Sequence, residues 1–150
     1  MKQINIQTIL LMWIFIILFV TGCEEVQKQT LDADFYINQG NAYVGKGQYD
    51  QAISDFNKAI EINPRFAKAY YNRGVAYKRK GQYDQAISDY NKAIEINPRD
   101  ALAYYNRGIA CFYAKKYEKA WDDAHKAQDL GYSVQPRFLK ALREALGREK

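Results

Sequence analysis

Few residues in this chain could carry out chemistry. There are 150 residues, one histidine, His125, and two cysteines, Cys23 and Cys111. His125 and Asp129 stand four apart, a spacing that puts them on one face of a helix. Two ligands do not make a metal site, which takes three or four. His125 lies among polar residues and reads as solvent-exposed. Nucleophilic catalysis needs a nucleophile beside a base, and phosphate chemistry needs a glycine-rich loop opening a helix. Neither a cysteine–histidine pair, nor a nucleophile elbow, nor a phosphate loop is present. The chain therefore reads as a non-enzyme with no cofactor and no metal. The formal net charge is +5, but Lys/Arg and Asp/Glu alternate along most of the sequence. That is the pattern of solvated helix faces, and without a basic stripe nucleic acid is not an expected partner.

Cys23 has the most specific chemical context. Residues 9–20 form an uninterrupted apolar run of twelve, after a short start with one cation, Lys2. The run is too short for a bilayer, which takes about 20 apolar residues, and suits a signal-peptide core. It ends in Val20-Thr21-Gly22-Cys23, which resembles the lipobox of bacterial lipoproteins, with Val20 where Leu is usual. That resemblance implies removal of residues 1–22 and acylation of the Cys23 sulfur, palmitate-type chains included. A thiolate is the nucleophile that accepts the lipid, so Ser cannot replace it. More than one acyl chain is needed for stable anchoring. The alternative is an uncleaved N-terminal anchor. Residues 23–32 then read as a polar tether, and the processed chain carries a net charge of +4. Cys111 reads as a small buried hydrophobe.

What must position any functional residue is a repeat. Residues 46–65 and 80–99 agree at nineteen of twenty positions at an offset of 34, with Phe56 replaced by Tyr90. Residues 69–77 match 103–111 at seven of nine positions, again 34 apart. Aromatics recur at Tyr36, Tyr70 and Tyr104, and Gly at Gly40, Gly74 and Gly108. Then come Tyr43, Tyr77 and Cys111; Ala52, Ala86 and Ala120; Phe56, Tyr90 and Ala124; Ala59, Ala93 and Ala127; and Pro64 and Pro98. This pattern resembles the tetratricopeptide repeat. The resemblance implies an all-α, right-handed superhelical solenoid of helix-turn-helix repeats at 33–66, 67–100 and 101–134. A capping helix and tail follow at 135–150. Each signature Gly should let the B helix backbone approach its A helix, against the B-helix Ala. Gly47 and Gly81 mark turns that need positive φ. Asn63-Pro64 and Asn97-Pro98 should stop each B helix. Repeat three lacks the turn Gly and has no Pro until Pro136. Phe138, Leu139, Leu142, Ala145 and Leu146 form the apolar stripe of the cap.

Three polar positions depart from the family pattern. Before the signature Gly, where Leu is usual, stand Gln39, Arg73 and Arg107. Before the B-helix aromatic position stand Asp55, Asp89 and Asp123. A charge in a packed interface needs a counter-charge. We expect ion pairs across repeats, Arg73 with Asp55 and Arg107 with Asp89, leaving Asp123 to a cation of the last helix such as Arg137 or Lys140. The alternative is pairing within one repeat.

In the family the A helices line a concave groove. Its expected floor here is Asn38 and Asn41; Lys68, Tyr71, Asn72, Val75, Lys78 and Arg79; and Tyr105, Asn106, Ile109, Phe112 and Tyr113. Asn38, Asn72 and Asn106 make a ladder of amides suited to gripping a peptide backbone. The cations of the C-terminal-carboxylate clamp of some relatives are not matched. Lys68 and Asn72 are present, but Leu102 and Asn106 hold the other positions. The resemblance implies a membrane-tethered adaptor for a protein or peptide partner, acting in a bacterial envelope, secretion or pilus assembly and facing the periplasm or the exterior. The alternative is an assembly module that associates with its own kind or another repeat protein.

Overall fold

The computed structural model describes residues 12–13, 16–17 and 32–148. Residues 32–148 contain seven α-helical segments, and no described residue is in a strand. Helix α1 spans 32–45 and pairs with α2 (Tyr49–Ile62). Helices α3 (Ala67–Arg79) and α4 (Tyr83–Ile96) form the second hairpin, and α5 (Ala101–Tyr113) and α6 (Tyr117–Asp129) the third. Helix α7 (Pro136–Ala145) closes the series. From α2 onward each helix packs on the next, and α3 also touches α5. The all-α solenoid of three hairpins and a last helix is thus what forms. Most of the apolar leader, with Val20, Thr21, Gly22 and Cys23, lies outside the described residues. Met12, Trp13, Ile16 and Ile17 are helical and exposed. No described helix is long and apolar enough to cross a membrane.

Local chemistry sets the boundaries. Gly47 and Gly81 turn A into B helices at φ +74° and +76°. In the third hairpin the same turn is made by Lys115 at φ +59°, a left-handed conformation that costs an L-residue about 1–2 kcal/mol. Asn63 and Asn97 sit outside the helical region because a proline follows. Their side-chain oxygens accept from the N–H groups of Arg65 (3.1 Å) and Arg99 (3.3 Å), replacing the helix ladder with a tight turn. Repeat three ends differently. Gly131, at φ +88°, closes α6, and Pro136 takes the first turn of α7, where its missing N–H costs nothing.

The core is thin. Alanines at every packed turn of α2, α4 and α6 let helices approach closely, and one fully buried aromatic per early hairpin, Phe56 or Tyr90, fills the rest. The signature glycines act otherwise than expected. A Cβ on Gly40 would lie 2.5 Å from the Phe56 ring, and one on Gly74 would lie 2.9 Å from the Tyr90 ring. The glycine makes room for a ring, not for backbone. Only at Gly108, opposite Ala124, does the B-helix backbone come close, with the Ala120 carbonyl 3.3 Å from such a Cβ. In α7, Leu142 is fully buried against the third hairpin, and Phe138 and Leu139 pack beside it. Ala145, expected in that stripe, is exposed.

The expected ion pairs across repeats do not form. Arg73 binds Asp89 of its own hairpin with two bonds, Nε to Oδ2 at 2.8 Å and Nη2 to Oδ1 at 2.7 Å. Arg107 binds Asp123 at 2.8 and 2.6 Å, so Asp123 is not left for Arg137 or Lys140. What crosses to the preceding repeat is the third donor. Arg73 Nη1 reaches Asn57 Oδ1 at 2.6 Å, and Arg107 Nη1 reaches Asn91 Oδ1 at 2.7 Å. Helix geometry explains the swap. Asp55 and Asn57 are two residues apart, about 200° around α2, so one faces its own A helix and the other the next repeat. Arg73 and Arg107 also lie over Tyr70 (5.6 Å) and Tyr104 (5.3 Å). In the first hairpin Gln39 is exposed and Lys58 substitutes, 3.3 Å from Asp55 Oδ1 and 5.0 Å from the Tyr36 ring centroid. Asp55 Oδ2 stays buried without a partner.

Candidate functional site

The A helices stand side by side, and the predicted groove residues fall into two unequal groups. At the junction of α3 and α5 a polar network closes the floor. Asn106 Nδ2 donates to the Tyr71 hydroxyl (2.9 Å) and to the Leu102 carbonyl (3.0 Å), and its Oδ1 accepts from the Lys78 ammonium. Lys78 forms no ion pair among the described residues. Burial, with Arg79 adding repulsion, lowers its pKa to about 8. Burial also pushes the Tyr71 phenol up, with Asp100 contributing.

The asparagine ladder is therefore not made of equal rungs. Asn106 is committed to the protein. Asn72 stands one repeat earlier, and its amide Nδ2 is buried without a partner. The offset of 34 explains why: where Asn106 meets Tyr71 and Lys78, Asn72 has Ile37 and Val44, which offer no hydrogen bond. Asn38, Asn41 and Lys68 are exposed, so the early groove is open and polar.

At the other end the surface is apolar. Leu102 is 45% and Tyr113 59% exposed on α5. Tyr105 packs on Tyr132 (4.7 Å between ring centroids) and edge-on to Phe138 (5.9 Å), and Phe112 meets Phe138 at 5.8 Å. Tyr113 stacks on Tyr83 at 5.1 Å with planes 13° apart. Between α5 and α7 these rings leave a cleft of about 330 Å³, lined by Tyr105, Ile109, Phe112 and Tyr113 on one side and by Phe138, Ala141, Gln135 and Arg137 on the other. Arg137 Nε donates to Gln135 Oε1 at 2.7 Å.

The α7 half of this cleft was not anticipated. Phe138 read as part of a capping stripe, and Arg137 as a counter-ion for Asp123. The signal that could have found it is the register. At an offset of 34, Phe138 and Ala141 correspond to Tyr104 and Arg107. Arg107 faces the B helix of its repeat through Asp123, and α7 has no B helix after it among the described residues.

His125 is exposed, and its Nδ1 lies 2.9 Å from the Trp121 carbonyl. Among the described residues no group of three or more His, Cys, Asp or Glu could hold a metal. Cys111 is a fully buried free thiol whose pKa is raised by burial, then by Asp123.

Comparison with known proteins agrees with this geometry. Tetratricopeptide-repeat family models match residues 67–100 and 89–122, and a TPR-repeat model matches 40–81. Among solved structures, the first TPR of Spaghetti (RPAP3), bound to an HSP90 peptide SRMEEVD, superposes with a TM-score of 0.76 at 30% identity. The match covers 79% of this chain and 95% of that one. The chain belongs to the tetratricopeptide-repeat family. The first TPR domain of the human RPAP3 protein (30% identity, 78% and 94% covered, TM-score 0.74) is similar. So is the Arabidopsis OM64 TPR domain (27% identity, 77% and 98% covered, TM-score 0.74). No curated protein sequence matches.

Proposed function

We propose that the chain is a non-catalytic adaptor that holds a peptide segment of a partner protein along α1, α3 and α5. The carrying observation is the open concave face: exposed polar side chains on α1 and α3 (Asn38, Asn41, Lys68), then exposed Leu102 and Tyr113 beside an aromatic cleft on α5. Amides and a cation grip backbone and polar groups, and rings bury apolar side chains at low entropy cost. Similar domains have been solved with HSP90 peptides bound, which supports the same use of the fold here. The clamp cations are not matched at Leu102 and Asn106, so the ligand differs in its end group.

The adaptor acts at a membrane, tethered through acylated Cys23, in the envelope of a bacterium. The lipobox-like residues Val20 to Cys23 after an apolar run support this part. Its test is Cys23→Ser, which should abolish acylation and so change both the mass and the membrane fractionation of the protein. Unchanged mass and fractionation would remove the tether.

A second reading is a self- or co-assembly module. It is favoured by the first hairpin, where Phe35 is 61% exposed. Photocrosslinking in cells separates the two. Probes at Asn41 and Lys68, with exposed Ser88 on α4 as control, should trap a discrete partner from the groove positions only. Crosslinks between copies of the chain alone would favour assembly.

A further inference from the structure

We propose that the cleft between α5 and α7 is a socket for one bulky apolar or aromatic side chain of the partner peptide, and that Arg137 on its rim holds a carboxylate next to that side chain. The proposal deepens the peptide-groove reading and rests on it.

The socket arises from how the repeat ends. In α5, Arg107 turns inward toward α6, where Asp123 neutralises it, and its guanidinium lies over the Tyr104 ring. In α7 the corresponding residues are Phe138 and Ala141, with no B helix following among the described residues. In α7 these positions line the cleft, with Phe138 edge-on to Tyr105 and against Phe112 of α5. Ala141 replaces a guanidinium with a methyl, which creates the space, and Phe138 leaves an aromatic wall. The volume of about 330 Å³ is at the low end for ligand clefts, about 300–1,000 Å³, and suits one or two side chains.

Charge selects the occupant. No carboxylate lines the cleft. Arg137 is exposed, and its hydrogen-bond partner is the neutral Gln135 amide. Lys78, across α5, likewise has no counter-ion among the described residues. An aromatic residue followed by Asp or Glu matches this combination. A basic segment would meet only like charge.

The test uses the full chain in mild detergent and three fluorescein-labelled Gly/Ser peptides containing Phe-Asp, Ala-Asp or Phe-Asn. Anisotropy should rank Phe-Asp about tenfold or more tighter than Ala-Asp, the worth of one buried ring. Phe-Asp should exceed Phe-Asn by about three- to fivefold, the worth of a partly exposed ion pair. Arg137→Gln should erase the second difference and leave Phe-Asn binding unchanged. Ala141→Leu, which fills the cleft without removing a packed group, should weaken both Phe peptides. Equal binding of all three peptides, unaffected by either variant, would overturn the socket and leave the groove standing. No binding at millimolar concentration would also overturn it, and the Lys68 crosslink would then decide separately whether the groove holds a peptide. A dimer broken by Ala141→Leu would assign the cleft to a second copy instead.

Discussion

At the scale of single residues, the solenoid shows its economy where the repeat is imperfect. Lys115 does the work of Gly47 and Gly81 with a side chain that its backbone conformation disfavours. Nothing packs on the corresponding glycines, since a Cβ at Gly47 or Gly81 would meet no atom within 4 Å. Lys115→Gly should therefore stabilise the fold by about 0.5–1 kcal/mol, the left-handed cost less the extra chain entropy of glycine, read as a rise in melting temperature. Gln39 is the second imperfection. Gln39→Arg should supply Asp55 with the bidentate donor that Asp89 and Asp123 already have, adding about 1 kcal/mol after the side-chain entropy is subtracted. In a double-mutant cycle Asp55→Asn should remove that gain. The cycle would expose a wrong assignment, because an Arg that merely points to water would be insensitive to Asp55. The sequence made Arg and Asp visible as a recurring pair. It did not say which Asp each Arg meets, since offsets along one helix become opposite faces only when neighbouring helices are in place.

At the scale of elements, helices and turns were legible from the sequence. Asn-Pro stops, Gly turns and the aromatic–Gly–aromatic spacing act locally, through φ, missing donors and side-chain size, and the observed boundaries follow them. The role of the signature glycines was not legible. Whether Gly40 faces a ring or a backbone depends on how closely α1 and α2 settle, which Phe56 and Ala124 decide oppositely in repeats one and three. Helix α7 is an element whose stability comes from one anchor. Leu142 is fully buried with Ala120, Ala124, Ala127 and Val134 in the same cluster. Leu142→Ala should cost about 2–5 kcal/mol by urea denaturation. Amide exchange should rise first in α7 and α6, because a solenoid frays from its ends. Uniform acceleration across all seven helices would mean that α7 is not a separable cap.

At the scale of the whole molecule, the concave face gains an electrostatic character that no single repeat has. Lys78 is half-buried between two A helices, held by Asn106 and without a carboxylate among the described residues. Its pKa of about 8 lies below the ordinary lysine value near 10.4. Between those two values the unfolded chain binds more protons than the folded one, so stability should rise with pH from about 8 toward 10. The penalty is fully present below about 8. Thermal melts across that window should show the rise in the native chain, and Lys78→Met should flatten it and raise the melting temperature at pH 7. A native profile that falls from 8 to 10 would contradict the burial of that cation. An anionic ligand reaching Lys78 should raise its pKa again, so peptide binding and this titration are linked.

The sequence by itself determined the repeat, the number and order of hairpins and the turn positions. These depend on residue types read at fixed spacing, and a spacing of 34 survives in one dimension. Tertiary structure alone decided which carboxylate each arginine binds, which asparagine is spent on the protein, and that the capping helix α7 also walls a cleft against α5. Each of these joins residues on different helices, and it is the distance and angle between helices, set by alanines and rings in the core, that brings them together.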